Sequence, residues 1–459
     1  MNYSLLIQGH LTELTLICCA LIVLIVDRLV MVRSWPSHRY PVAAVLTASG
    51  CGIAMCGKFE ADEAIAAMTA SVAILSLGEK FTKQVGEYFL LLLVAAAGLV
   101  FMVHADDLLN AFLGLETASL SFYVLVALDR KRAEAVQAGF KYFLYGGVSA
   151  ACLLYGLSLI YGLTGSLNFA ECTQAFAGMP PSPMVYVAAV MIVVGFAFKL
   201  AAAPFHLWAP DVYRHSATPV AAFIASASKI GGVYLLARVV GAFHREAIVP
   251  AIVAVSVMSL ILGNLAAISQ RSLTRLLAFS AVAHAGYVLV GLCGASDQPI
   301  PVGALVYYAV TYAIATAGAF GLVMVLRRDT GSDNLEGLNG LNQRSPALAL
   351  LLAIFVLSLA GIPPLAGFFG KFYVFATVLR GGSSLAIGVT SLAILMSAVS
   401  LYYYLQVLKR VFVLPQKDEA QAPPQVSRAT MILLTALALA TFLAGLCPQG
   451  LLQSLAPPL

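Results

Sequence analysis

Charge is scarce in this chain. Of 459 residues only 10% are Asp, Glu, Lys or Arg, while 61% are hydrophobic. Soluble domains carry about 25% charged residues, so a water-soluble globular protein is excluded. Paired cysteines are missing too. Cys18, Cys19, Cys51, Cys56, Cys152, Cys172, Cys293 and Cys447 are scattered, with no CxxC and no Cys/His cluster to ligate zinc or an iron–sulfur centre. No GxGxxG joins a strand to a helix and no GxxxxGK[ST] occurs, so nothing here cradles a nucleotide phosphate. The start, MNYSLLIQGHLTEL, lacks the basic region and cleavage site of a signal peptide. The first apolar run is therefore expected to be a retained helix.

Long apolar runs are what the chain does have. Segments of roughly 20 residues, the length that spans a bilayer, recur from end to end and predict an all-α polytopic membrane protein. Fourteen spans are expected near 10–30, 39–57, 61–78, 86–104, 107–128, 136–163, 184–212, 218–240, 247–270, 272–294, 301–327, 346–380, 383–411 and 428–452. The second and third are the least regular, because Lys58, Glu60, Asp62 and Glu63 crowd their junction. The longest connections, 164–183 and 328–345, are short enough for a single membrane domain over 1–459. Within it we distinguish three helices (1–85), two five-helix blocks (86–240 and 247–411) and a last helix (428–452).

Lys and Arg test this count. The odd-numbered loops hold 18 of them and the even-numbered loops only Lys58, Arg238, Arg245 and Arg380. By the positive-inside rule the odd loops face the cytoplasm and both termini face outward. Four basic residues remain, all inside spans: Lys141, Lys199, Lys229 and Lys371.

A lysine at the centre of a span costs roughly 2.5–3.5 kcal/mol on insertion scales, and such residues mark ion pathways by default. Glu116 is central in the fifth span, Lys199 in the seventh, Lys229 in the eighth and His284 in the tenth, while Lys371 lies in the twelfth. Lys141 opens the sixth span near the cytoplasmic face and equally well snorkels there. His284 reads equally well as a core histidine, whereas a static Glu116–Lys199 ion pair is the weaker reading, because the charges outnumber any simple pairing. One central acid cannot neutralise three central lysines, so at least one lysine lacks a carboxylate from this chain. A buried lysine can exchange its proton near neutral pH, whereas an arginine stays charged. Lysine occupies the span centres and arginine the loops and helix ends, the distribution a proton relay requires.

Prolines break two of these spans. Pro204 follows Lys199 in the seventh, and Pro363–Pro364 precede Lys371 in the twelfth. Broken helices are tolerated in a bilayer only beside protein or a water-filled cavity. The breaks are five helices apart, and an odd-numbered block repeated once inserts upside down. Spans 4–8 and 9–13 are thus expected to be inverted repeats with broken helices 7 and 12.

The stretches FKLAAAPFHLWAPDVY, ATPVAAFIASASKIGGVYLLAR, RLLAFSAVAHAGYVLVGL and LAGIPPLAGFFGKFYVF resemble the antiporter-like subunits of respiratory complex I. LVALDRKRAEAVQAGFKYFLYG, ATAGAFG and LEGLNGL are similar to the N subunit, subunit 2 in mitochondria. The resemblance covers roughly 86–411. It implies a proton path through Glu116, Lys199, Lys229 and Lys371, with Lys141 and His284 as further polar positions; a cytoplasmic half-channel is expected near Lys141 and His206. It also implies a translocase subunit of NADH–quinone oxidoreductase in a bacterial inner (plasma) membrane, among other membrane subunits and lipid and with no nucleic acid. NADH, FMN, iron–sulfur clusters and a quinone would belong to partner subunits, and no cofactor or metal to this chain. Arg214 and His215 depart from the family pattern, which commonly places an acid after WAPDVY. The runner-up is a subunit of a multi-subunit sodium/proton antiporter, and a third reading is a structural subunit whose charges are static pairs.

Overall fold

Helix starts follow the caps that the sequence supplies. Asp107, Asn168, Ser182, Ser272 and Ser427 each accept a backbone N–H of the first turn that follows. Pro183, Pro346 and Pro448 stand at first-turn positions, where a missing N–H costs nothing. In the computed structural model, residues 10–32, 35–55, 60–79, 82–294, 299–416 and 423–455 are described. Arg33, Cys56, Lys58, Lys80 and Lys417 of the charge and cysteine patterns lie outside them.

The helices run in chain order as α1 (Leu11–Val26, continued by a π-helical turn Asp27–Met31), α2 (Arg39–Ala54), α3 (Ala61–Leu75), α4 (Val85–His104), α5 (Leu108–Val126) and α6 (Ala133–Thr164). A short α7 (Phe169–Ala177) crosses the first long connection. Then come α8 (Pro183–Lys199), α9 (Trp208–His215), α10 (Thr218–Ala225), α11 (Ala227–Ala242), α12 (Arg245–Ile268), α13 (Leu273–Val290) and α14 (Val302–Thr330). The chain closes with α15 (Pro346–Ala360), α16 (Ala366–Leu379), α17 (Ser384–Phe412), α18 (Arg428–Leu446) and α19 (Pro448–Ser454). Among the described residues ten helices are long and apolar enough to cross a membrane, and α8, α15 and α16 are shorter apolar pieces. The pieces α8–α9 and α15–α16 fall where the seventh and twelfth spans were expected to break. α2 and α3 meet neither criterion, in keeping with the crowded charges at their junction.

The helices differ in what surrounds them. About 94% of the apolar window of α14, 94% of that of α10–α11 and 89% of that of α13 is buried, against 28% for α17 and 33% for α1 and α6. The first group is therefore the interior of the bundle, and α1, α6 and α17 present apolar side chains outward. The interior helices carry Lys229 and His284. The first three helices are tied to the rest by His104 at the end of α4: its Nδ1 is 2.8 Å from Glu13 of α1 and its Nε2 is 3.3 Å from Asp62 of α3.

A five-residue motif recurs at corresponding places. TGSLN (164–168) ends α6 and TGSDN (330–334) ends α14, each with its glycine in the left-handed region, at φ 75° and 70°. Thr164 and Thr330 each donate to the carbonyl of the serine two residues on, at 2.8 Å. The chain then docks on the N-terminus of α5 in one case and of α13 in the other: Leu108 N donates to Leu167 O at 2.9 Å and Leu273 N to Asp333 O at 2.8 Å.

Asp333 completes the second turn. Its Oδ2 accepts from Ser272 at 2.7 Å and from Arg327 at 3.3 Å. Burial alone would raise its pKa, but hydrogen bonds from Thr274 and Ser272 and the Arg327 guanidinium outweigh burial and hold it below the usual value. A depressed folded-state pKa adds stability above the unfolded value, about 3.9, that is lost as pH falls through the folded value. Backbone amides at 331–338 should therefore exchange hydrogen faster below about pH 4, after correction for intrinsic rates. Asp333→Asn should show fast exchange at both pH values.

Candidate functional site

Each central lysine stands at a helix break. α8 ends at Lys199, and the chain turns through Ala201, at φ 55°, before α9 begins at Trp208. The freed backbone groups find side chains: Ala203 N donates to Ser259 Oγ at 2.8 Å, and Trp208 Nε1 to Phe198 O at 3.2 Å. In the twelfth span α15 ends at Ala360, Gly361 takes φ 87°, and Gly367 N donates to Ser358 Oγ at 3.2 Å. The eighth span, expected to be continuous, is also interrupted. Ser226 (φ −113°, ψ −84°) separates α10 from α11, with its hydroxyl bonded back to Ala222 O at 2.6 Å. That local hydrogen bond competes with the helical ladder and needs no proline.

Lysine ammonium groups occupy the ends of the broken helices. Lys229 Nζ donates to the carbonyl of Leu200, just past the end of α8. Lys371 Nζ donates to Ala360 O, the end of α15, and to Ser397 Oγ, both at 2.9 Å, and lies 4.7 Å from the Tyr287 ring centre. A cation there meets the negative end of the helix dipole and the carbonyls the break has left without donors. Lys199 is held less closely, 3.4 Å from Ser119 Oγ and 5.1 Å from the Phe122 ring centre. All three lysines are at most 5% exposed. No carboxylate lies within 4.0 Å of any of them among the described residues.

Glu116 is half-buried on α5, one turn before Ser119, so the carboxylate and the hydroxyl that meets Lys199 share a helix face. His284 is buried among tyrosines, with Nδ1 2.7 Å from Tyr308 Oη and Nε2 3.4 Å from Tyr404 Oη. A cavity of about 20 Å³ between Lys229 and His284 is lined also by Leu200, Tyr308 and Tyr312. The Tyr287 ring lies against both His284, at 5.7 Å, and Lys371. The buried series therefore runs Glu116, Ser119, Lys199, Lys229, His284, Tyr287, Lys371. Ser119, Tyr287, Tyr308, Tyr404 and Ser397 went unrecognised in the sequence. Only the helical spacings Glu116–Ser119 and His284–Tyr287 pointed to any of them.

Two expected positions lie outside the series. Lys141 is exposed on α6 and paired at 2.8 Å with Asp211 of α9. His206 sits inside the break after Lys199, and its buried Nδ1 has no hydrogen-bond partner among the described residues. Pro204, Pro363 and Pro364 fall within the two breaks.

A family model described as "NADH:quinone oxidoreductase/Mrp antiporter, TM" matches residues 105–397, which span α5 to α17. The chain belongs to this family. A relative from Acidobacterium capsulatum, NADH-quinone oxidoreductase subunit N 2, is 39% identical over 98% of this chain and 99% of its own. A solved structure of respiratory complex I from Thermus thermophilus with bound aureothin contains a chain 32% identical, with TM-score 0.78, covering 96% of this chain and 98% of that one. The Mrp complex from Dietzia sp. DQ12-45-1b has a chain with TM-score 0.81 covering 99% of this chain and 96% of that one, at 20% identity, a likeness of fold alone.

Each proline break includes one residue in the left-handed region, Ala201 in the first and Gly361 in the second. Gly361 is the sharpest test. A Cβ there would lie 3.1 Å from Lys371 Cδ on a backbone at φ 87°. Gly361→Ala should destabilise the protein by about 1–2 kcal/mol, the cost of a left-handed alanine. A lowered thermal midpoint in detergent measures it, with Gly388→Ala, where a Cβ meets open space, as the control.

Proposed function

We propose that this chain is a proton-translocating subunit of the membrane arm of an NADH–quinone oxidoreductase. Partner subunits would hold FMN, the iron–sulfur clusters and the quinone and oxidise NADH, and this chain would move protons. The observation that carries the reading is the series of polar side chains from Glu116 to Lys371, which includes three buried lysines with no carboxylate in ion-pair contact among the described residues. The static ion pairs that a structural reading expects are absent around the three lysines among the described residues.

In the relay, Lys199 exchanges a proton under the influence of Glu116, and Lys229 shares the break at Leu200 with it. The cavity between Lys229 and His284 has room for one water, which would connect them. His284, between Tyr308 and Tyr404, passes the proton towards Lys371 for release. Lys141 and His206 supply the cytoplasmic entry. The 18-to-4 distribution of Lys and Arg supports an inner-membrane chain with both termini outside. The recurring TGSxN turns and paired helix breaks support two inverted five-helix repeats within one membrane domain.

Two experiments test this. Lys199→Ala and Lys371→Ala should abolish or strongly reduce NADH-driven proton uptake into inverted membrane vesicles, read by dye quenching. Lys371→Arg keeps the donors and the charge but cannot release a proton, so it should fail as well; full coupled pumping in any variant removes that residue from the relay. Purification through a C-terminal tag should bring down flavin and iron–sulfur absorbance with NADH-dependent quinone reduction. Only small membrane partners, no chromophore and sodium-dependent proton exchange would instead make the chain an antiporter subunit.

A further inference from the structure

A second polar site lies away from the buried series, where the loops after α9, α12 and α14 meet. It is a cavity of about 310 Å³ lined by Arg214, Arg271 and Arg275 together with Ser269, Gln270 and the TGSDN turn. Arg214 and Arg271 are exposed and Arg275 is half-buried. None of the three guanidinium groups makes an ion pair or a side-chain hydrogen bond among the described residues. The Nε of Arg275 is buried without a hydrogen-bond partner among the described residues. The acid that lines the cavity, Asp333, is already engaged by Arg327 and Ser272. Three guanidinium groups without an ion-pair partner among the described residues line one cavity beside a single acid that Arg327 already engages, a donor set that suits an added anion.

The surroundings say which anion. The cavity opens at the end of α12, and that helix presents Leu262, Leu265 and Ile268 outward, 46%, 53% and 41% exposed, in a line that stops one residue before Ser269. An apolar stripe leading to a cationic cavity at a helix end fits an amphiphile. A guanidinium fork matches phosphate bidentately, and basic pockets between membrane helices are recognised sites for anionic headgroups. We propose that this cavity binds the phosphate headgroup of an anionic phospholipid, with an acyl chain laid along Leu262, Leu265 and Ile268. The site is independent of whether the chain moves protons.

The test is photolabelling of the intact detergent-extracted complex with phosphatidylglycerol carrying a diazirine near the headgroup, with labelled peptides mapped by mass spectrometry. Label should appear in 262–275 or 332–334. Unlabelled phosphatidylglycerol should displace it, and phosphatidylcholine should not. Arg214→Gln and Arg271→Gln, both at exposed positions, should each weaken labelling by about fivefold, from the roughly 1 kcal/mol an arginine adds near an anionic surface. Arg271→Lys should restore part of it. Equal displacement by phosphatidylcholine, displacement by inorganic phosphate at the same concentration, labelling unaffected by either Gln variant, or no label in these segments would each overturn the assignment.

Discussion

Everything in the interior depends on one constraint: a broken helix in hydrocarbon must find donors for the carbonyls it frees, and a buried ammonium must find acceptors. Here each need answers the other. The Leu200 carbonyl takes Lys229, and the Ala360 carbonyl takes Lys371. Inserting a lysine at mid-membrane costs roughly 2.5–3.5 kcal/mol. A hydrogen bond involving a charged group returns about 1.5–3 kcal/mol. Lys371 has two such bonds and an aromatic face, so its burial is offset without a counter-ion. A carboxylate partner would hold its proton far more firmly, and a relay needs a proton that leaves.

The same logic ranks the three lysines. Lys371 has a carbonyl, a hydroxyl and a ring; Lys229 has one carbonyl; Lys199 has a distant hydroxyl and a ring at 5.1 Å. The least hydrogen-bonded of the three is also the one nearest an acid, Glu116. Replacing Glu116 with a neutral residue would leave the contacts of Lys371 untouched and bear directly on Lys199. Of the three, Lys199 is the one on which attraction to an acid over distance bears most. The other two rest on direct hydrogen bonds.

Much of this was legible in the sequence, for definable reasons. Glu116, Lys199, Lys229, His284 and Lys371 stood out because hydrocarbon penalises charge, and a penalty is visible wherever charge appears. Pro204, Pro363 and Pro364 announced their breaks because proline removes a donor and obstructs the helix. The Ser226 break was not legible: a serine hydroxyl satisfied by the carbonyl four residues back looks like any serine on an apolar helix. The tyrosines around His284 were hidden by the same ambiguity, since aromatic residues at helical spacing fill any core. Lys141 was read from its place in the span, but its partner Asp211 lies 70 residues away on α9, and no local pattern encodes that pairing.

The TGSLN and TGSDN turns were legible in the sequence, and they show what such a turn demands of its residues. Both keep the threonine, glycine, serine and asparagine that build the turn, because a left-handed glycine and a capping asparagine leave little freedom. The fourth position varies, Leu167 in one half and Asp333 in the other, although both offer the same carbonyl to the next helix. Only Asp333 adds a side chain that gathers Ser272 and Arg327. The backbone job at this corner is therefore shared, while the electrostatic job belongs to one half. The breaks divide in the same way: each has a lysine bonded to a carbonyl at the end of a helix, yet Lys229 reaches its carbonyl from the neighbouring span, and Lys371 reaches its own from within the broken one. A common backbone frame with different side chains thus lets two similar corners differ chemically without changing the fold.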